Sequence, residues 1–303
     1  MKVTFLGTGA GVPSKERNVT AIALHLMNEK NDTWLFDCGE GTQHQMLHTS
    51  VKASKINKIF ITHIHGDHIY GLPGLLSSRS YQGATSKVTI YGPSGLKEYI
   101  NASLQISQTH LLYPLEIVEM NEEGLLFKDE TASVNVAKLD HGVPSFGFRI
   151  QKHDQPGSLL MEKVKEANIP LGPHLKEFKH KKEVTLPDGR TFETSPFIGP
   201  LKEGKSVCIL GDTRYSTKGL RLAEKVDLLV HEATFSKSEE RHAQLYYHST
   251  TEQAATLALK ARVNHLILTH ISPRYQDPLM LEKEGREIFP NTCIANDLVT
   301  FTV

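Results

Sequence analysis

Short runs of apolar and β-branched residues punctuate the chain: Val3 to Leu6, Ala21 to Leu26, Thr33 to Phe36, Lys58 to Thr62, Val88 to Tyr91, Ser206 to Leu210, Asp227 to Val230 and His265 to Thr269. Runs of this kind predict strands. Helix-like stretches lie between some of them, at Ser94 to Ile106 and Thr250 to Ala261. The second opens on Ser249 or Thr250 as N-cap, with Glu252 or Gln253 in its first turn. Strands mixed with helices predict a layered α/β architecture.

The segment from 153 to 195 departs from this pattern. It carries Pro156-Gly157, a helix-like stretch over Ser158 to Asn168, the break I-P-L-G-P-H, the run L-K-E-F-K-H-K-K and a Pro187-Asp188-Gly189 turn. Its apolar residues are expected to be too sparse for a core of its own. From Lys163 to Arg190 seven Lys or Arg stand against four Asp or Glu. That mild basic bias suits either a solvated insertion or an arm that binds a polyanion.

Composition narrows the field. At 303 residues the chain can bury a sizeable core in one large domain or two smaller ones. Apolar residues at 39% and charged residues at 22% are those of a soluble globular protein, and no apolar run is long enough to span a bilayer, so no membrane partner is expected. Met1 leads straight into K-V-T-F-L with no basic and apolar leader, which predicts the cytoplasm. Cys38, Cys208 and Cys293 fit neither a disulfide framework nor a thiolate metal site and read as core residues. Lys plus Arg equals Asp plus Glu at 34 each, so any polyanion must be met by a local patch.

The candidate chemistry sits where the strand-like runs end. His63 follows I-F-I-T, Asp212 follows V-C-I-L-G, His231 follows D-L-L-V, His270 follows L-I-L-T and Asp37 follows W-L-F. The carboxyl edge of an α/β sheet is where ligands gather, because strands fix geometry while the following loops vary. Asp37 and His231, taken singly, also fit turn and capping roles. The densest cluster is I-F-I-T-H-I-H-G-D-H-I-Y at 59–70, with His63, His65, Asp67 and His68 close together. In an extended stretch His63 and His65 share a face, while a turn relaxed by Gly66 directs Asp67 and His68 towards a second ion. Imidazoles with carboxylates suit zinc or a neighbour such as manganese. Two such ions about 3.5 to 4 Å apart would clamp a water and the leaving oxygen of a phosphoryl centre. A histidine-rich polar turn is the alternative that these four residues leave open.

H-I-H-G-D-H resembles the His-x-His-x-Asp-His signature of the metallo-β-lactamase superfamily, and His141 in L-D-H-G-V-P-S-F, Asp212 in L-G-D-T and His270 in L-T-H-I-S match the ligands that follow it. Finer features resemble the ribonuclease Z family of tRNA 3′-processing endonucleases, in its shorter bacterial form. They are F-L-G-T-G at the start, P-S-K-E-R-N at 13–18, D-C-G-E-G-T-Q-H-Q at 37–45, H-E-A-T at 231–234, H-S-T at 248–250 and the Gly172-Pro173 pair. The resemblance runs essentially end to end. It implies one α/β domain over 1–303, a four-layer αβ/βα metallo-β-lactamase sandwich, with a flexible protruding arm inserted at 153–195. It also implies a homodimer in which the arm grips the tRNA body away from the cut.

The same resemblance implies two Zn2+ per subunit, with Mn2+ as the substitute and no nucleotide cofactor. His63, His65 and His141 hold one ion, Asp67, His68 and His270 the other, and Asp212 bridges. A metal-bound hydroxide attacks the phosphorus after the discriminator nucleotide of precursor tRNA, leaving a 3′-hydroxyl on the tRNA and a 5′-phosphate on the trailer. Asp67 is expected to take the proton of the attacking water, and His248, oriented by Glu232, to give one to the leaving oxygen. His231 is expected to support a metal ligand. Lys15, Arg17 and Asn18 are expected at the acceptor end, Gly172 and Pro173 in the arm's grip on tRNA, and Arg274 on a phosphate near the cut. Two rivals stay open: a hydrolase of this fold for small phosphodiesters, thioesters or lactams, and a non-catalytic RNA-binding protein that keeps the fold.

Overall fold

The computed structural model describes residues 1–28 and 31–303. In chain order its strands are β1 (Lys2–Gly7), β2 (Ala21–His25), β3 (Thr33–Phe36), β4 (Ile56–Phe60), β5 (Val88–Gly92), β6 (Leu115–Glu119), β7 (Gly124–Lys128) and β8 (Ala132–Leu139). There follow β9 (Ser145–Lys152), β10 (Glu183–Thr185), β11 (Thr191–Glu193), β12 (Ser206–Leu210), β13 (Leu228–Glu232), β14 (His265–Thr269), β15 (Thr292–Ile294) and β16 (Thr300–Thr302). They form two seven-stranded sheets, ordered β16-β1-β2-β3-β4-β5-β6 and β15-β14-β13-β12-β9-β8-β7, and a separate β10-β11 hairpin.

Successive side chains of a strand point to opposite faces, and here the two faces meet different cores. Val3, Phe5, Ile22, Leu24, Trp34, Phe36 and Phe60 of the first sheet pack against Phe146, Phe148, Val207, Ile209, Val230 and Ile267 of the second. Their neighbours Leu6, Ala21, Ala23, Leu35, Ile59 and Ile61 meet Leu72, Leu75, Leu76 and Ile100 from the helices Leu72–Tyr81 and Leu96–Ile106. On the far side Cys208, Leu229, Leu266 and Leu268 meet Ala254, Leu257, Ala258 and Leu281 from the helices Thr251–Ala261 and Leu279–Ile288. The result is the predicted four-layer α/β sandwich, and burial on both faces is why these strands read as unbroken apolar runs. Aromatic rings fill the middle: Phe36 and Phe60 stack at 4.8 Å, and Phe148 meets Phe60 edge-on at 5.3 Å. Truncating such a ring, as in Phe60→Ala, costs about 3–5 kcal/mol through the cavity it leaves.

Strands β3 to β6 run parallel, as do β12 to β15. The carboxyl ends of each set therefore line one edge of its sheet, and the loops that carry the candidate chemistry start there. One helix is also pinned at this edge. Thr250 Oγ1 accepts the Gln253 N–H at 3.2 Å while the Gln253 side chain accepts the Thr250 N–H at 3.1 Å, a capping box that selects Thr250 over Ser249 as the N-cap. His248, two residues earlier, inherits its position from that cap. Cys38 and Cys208 are buried and Cys293 is half-buried, all as free thiols.

Residues 152–204 form a second compact unit, longer than the predicted 153–195 segment. Contrary to expectation, this unit builds a core: Val164, Ile169, Phe178, Val184 and Leu186 are buried, with Leu159, Leu175, Phe192 and Ile198 around them. Phe197 closes it, 5.6 Å from Phe178 and 6.0 Å from Phe192. No single window of the segment is apolar. The helix Met161–Glu166, the 3-10 turn Pro173–Lys179 and the β10-β11 hairpin each contribute one or two residues, and the fold collects them. Among the described residues no helix is long and apolar enough to cross a membrane.

Candidate metal centre

Eight imidazoles and carboxylates from five chain segments converge, the seven predicted ligands together with His248. His63 to His65 leave β4 without helical or strand pairing, and the short helix Gly66–Ile69 then carries Asp67 and His68. His141 lies between β8 and β9, Asp212 follows β12, and His270 follows β14. Gly66 opens this helix without a left-handed backbone; a Cβ there would sit 2.2 Å from the ring of Tyr70, an exposed side chain that would have to turn aside. Likewise a Cβ on Gly39 would lie 2.3 Å from the carbonyl oxygen of Asp67, so Gly39 lets the loop after β3 press against the motif.

His63 Nε2 lies 3.0 Å and His141 Nε2 3.3 Å from His65 Nδ1. His63 and His141 use Nδ1–H elsewhere, on Thr62 Oγ1 at 3.0 Å and the Tyr247 carbonyl at 2.8 Å, so their Nε2 lone pairs face inward together. Nitrogens each about 2.0–2.1 Å from one tetrahedral zinc stand about 3.3 Å apart, which these spacings match. Asp67 Oδ2 is 3.4 Å from His68 Nε2 and 3.3 Å from His270 Nε2. Asp212 Oδ2 faces both groups, 3.7 Å from His63, 3.5 Å from His68 and 3.2 Å from His270. His68 Nε2 is buried with no protein hydrogen bond, an orphan that a cation would satisfy. The donor set, imidazole and carboxylate without thiolate, fits zinc or manganese.

The electrostatics agree with that fit. Burial alone would raise the Asp212 carboxyl, yet His270, His68 and His63 outweigh it and hold the group well below the usual carboxylate range. Burial, then the neighbouring His68, pushes His63 far down and leaves it the neutral imidazole that binds metal. His68 moves the other way: burial lowers it, but Asp212 and Asp37 raise it well above an ordinary histidine.

A frame stands behind each group. Asp37, after β3, accepts the Thr62 N–H at 2.7 Å, the Thr62 hydroxyl at 2.9 Å and His68 Nδ1–H at 2.8 Å, while the Thr62 hydroxyl oxygen receives His63 Nδ1–H. On the other sheet Glu232 accepts the Thr213 N–H at 2.8 Å, His248 Nδ1–H at 2.9 Å and the Thr234 hydroxyl at 2.6 Å. Thr234 Oγ1 in turn receives His270 Nδ1–H at 2.9 Å. Burial works to lower His248, but Glu232, Asp212 and Asp67 push it up to about 9. Arg214 grips Asp140 at 3.0 and 3.1 Å and lies 4.2 Å from the Tyr247 ring centre, clamping the loops of His141 and His248 together. Asp37 (φ 56), Tyr247 (φ 60) and His270 (φ 56) all hold left-handed backbone, a concentration of strain at the site.

Over residues 1–142 the chain matches the family model of the anti-Pycsar protein Apyc1. It is 54% identical over 305 residues to ribonuclease Z of Bacillus cereus, covering 100% of this chain and 99% of that relative. The chain belongs to the ribonuclease Z family. The crystal structure of human tRNase Z, short form, superposes with a TM-score of 0.70 at 33% identity, covering 100% of this chain and 99% of the human one. The metallo-β-lactamase fold protein YhfI of Bacillus subtilis, at 18% identity with 99% of this chain and 98% of its own covered, shares the fold with a TM-score of 0.68.

In this ribonuclease Z framework the residues expected to meet substrate fall in different places. Lys15 is exposed beside a cleft of about 650 Å3 that Ser272 and Tyr275 also line, and Ser272 borders the metal-site pocket of about 310 Å3 as well. Arg17 departs from expectation. Its guanidinium turns inward to Thr8 Oγ1, the Ala295 carbonyl at 2.6 Å and Asn296 Oδ1 at 2.8 Å, so it anchors its loop rather than facing substrate. Asn18 ties the loop to the Glu40 carbonyl at 2.8 Å and, through its N–H, to Asp297 at 2.6 Å. Arg274 is exposed, paired with Glu239 at 3.3 Å. Gly172 and Pro173 lead into the 3-10 turn of the 152–204 unit. His231 is buried and donates Nδ1–H to the Glu232 carbonyl at 2.7 Å, so it braces main chain instead of a ligand. Sequence reasoning missed Thr62, Thr234, Arg214 and Gly11, whose N–H donates to Asp67 Oδ2 at 2.8 Å. Both threonines lay inside quoted motifs, whereas no local signal marks Arg214.

Proposed function

We propose that this ribonuclease Z family member removes the 3′ trailer from precursor tRNA by metal-dependent hydrolysis of the phosphodiester just after the discriminator nucleotide. The observation that carries the reading is a complete, converging ligand set in a chain that matches ribonuclease Z at 54% identity from end to end. A protein that had kept the fold and lost the chemistry would have gaps in that set.

Two zinc ions, or manganese in their place, held by His63, His65 and His141 and by Asp67, His68 and His270 with Asp212 between, would acidify a water and offset charge on the phosphoryl oxygens. Asp67, its Oδ2 fixed by the Gly11 N–H, takes up a proton of the attacking water at its carboxylate. Water oxygen bonds to phosphorus, the P–O3′ bond breaks, and His248 gives a proton to the leaving O3′ from Nε2, the nitrogen that Glu232 leaves free. The products are a tRNA 3′-hydroxyl and a trailer 5′-phosphate.

The 152–204 unit is the tRNA-gripping arm in this reading. Lys176, Lys179 and Lys182 are exposed there, while Lys181 pairs with Glu177 and Arg190 with Asp188. Removing it should weaken precursor binding far more than hydrolysis of a small phosphodiester; equal losses would count against a recognition role. The working form is a cytoplasmic homodimer, a reading that rests on the family resemblance and that light scattering of the purified protein tests. The deciding experiment incubates metal-quantified protein with a precursor tRNA and maps the cut to the nucleotide. Absence of a cut beside robust thioester or lactam hydrolysis would overturn the proposal.

A further inference from the structure

An aromatic cluster on the rim of the metal-site pocket has no part in the chemistry described above. Phe235, His242 and Tyr246 hold nearly the same ring orientation, with interplanar angles of 11 to 22° and centroids 6.3 to 6.4 Å apart. Phe235 is buried, but Tyr246 is 55% exposed although it lines the same pocket as Asp67, Asp212, His248 and His270. The cluster is braced rather than loose. Glu239 holds the His242 ring and the Arg274 guanidinium, and that guanidinium lies 4.8 Å from the Phe235 ring centre. Tyr247, the next exposed ring, already carries Arg214 against it, and no cation covers Tyr246 among the described residues.

We infer that Tyr246, backed by Phe235 and His242, is a stacking platform for a nucleobase, and that the base is that of the last nucleotide kept on the tRNA. A large aromatic left half in water beside a phosphodiester-cutting centre is a ready partner for a base, because every base offers a π-face. The side of the cut follows from His248. Phe235 lies 6.1 Å from the His248 ring, and Tyr246 precedes His248 by two residues, so the platform stands on the flank where the leaving O3′ must be. That oxygen belongs to the retained nucleotide. The inference rests on the proposed reading of the site, in which His248 serves the leaving oxygen.

The test is a cycle between protein and substrate. Single-turnover cleavage and half-saturation are measured for the full-length, metal-loaded wild type, Tyr246→Ala and Tyr246→Phe. Each acts on a precursor tRNA with its natural last retained nucleotide, with an abasic one there, or with an abasic first trailer nucleotide. Tyr246→Ala should weaken use of the natural precursor about tenfold, within the range found for base–aromatic stacking, and Tyr246→Phe should restore it. On the precursor abasic at the retained nucleotide, wild type and Tyr246→Ala should become alike. If Tyr246→Ala loses the same factor on that abasic substrate, or loses nothing on the natural one, the platform is refuted. If only the abasic trailer nucleotide erases the difference, the assigned side is refuted. Wild type that cuts no precursor removes the functional reading and this inference together, whereas normal cutting that ignores Tyr246 removes this inference alone.

Discussion

The two sheets offer the metal centre the same three-part frame and use it differently. Each supplies a carboxylate near a strand end, Asp37 or Glu232. Each supplies a threonine, Thr62 or Thr234, whose hydroxyl donates to that carboxylate and receives the rear N–H of a candidate ligand, His63 or His270. Each carboxylate also takes an imidazole N–H directly, from His68 or His248. On the first sheet both imidazoles are candidate ligands and both are buried. On the second, His270 is buried, while His248 is 16% exposed and borders the pocket. One frame is closed around candidate ligands, and the other leaves one imidazole at the pocket's edge, where the proposed mechanism turns it to substrate. Reaction asymmetry can thus arise from nearly symmetric wiring by changing what the second imidazole faces.

That contrast can be broken most forcefully at Asp212, the carboxylate that faces both groups. Asp212→Ala is expected to abolish cleavage and lower metal content together, read by an assay beside elemental analysis; an active, metal-replete variant would sink the two-group picture. Next comes His248→Ala, expected to keep its metals and to cut about 10²–10⁴-fold more slowly, the usual contribution of a positioned acid. Metal loss in that variant would move His248 into the ligand set.

The frames themselves should then separate. Asp37→Asn, which tolerates the left-handed backbone at this position, is expected to lower metal affinity and activity by roughly 10–100-fold, as loss of a ligand's hydrogen-bonding partner does. Glu232→Gln should slow cleavage with metal content kept nearer to wild type, and the same titration with a chelator checks both. Identical behaviour would erase the distinction between closed and open frames. Smallest of all, Thr62→Val and Thr234→Val each remove one relay hydroxyl and should cost about 1 kcal/mol of stability, seen as a melting shift of about 1–2 °C. Thr234→Val should also slow cleavage more than Thr62→Val, because only its partner carboxylate serves His248.

Much of this was legible before any fold was known, and the reason is proximity along the chain. His63, His65, Asp67 and His68 fall within one loop, and Thr250 and Gln253 within one helical turn, so local spacing suffices. The apolar-run pattern finds β1 to β5 and β12 to β14, which are buried on both faces. It passes over β6 to β9, β15 and β16, where edge positions or alternating polar residues dilute the signal, as in A-S-V-N-V-A-K-L of β8. Arg17 misleads because its acceptors include the carbonyl of Ala295 and the side chain of Asn296, at the far end of the sequence. The frames stayed hidden for the same reason: Asp37 and Thr62, or Thr213 and Glu232, meet only once strands pair.

The core found inside residues 152–204 bears on how such a chain can change over evolutionary time. The sheet strands on either side are paired at Gln151 and Ser206, and within the unit Gln155 pairs with Lys202, so the insertion begins and ends at neighbouring points. A segment with joined ends and its own packing can be lengthened, shortened or exchanged at a closure cost that grows only slowly with its length. Under the proposed role of this unit, substrate preference can drift in one stretch of some fifty residues while the candidate ligands elsewhere stay still.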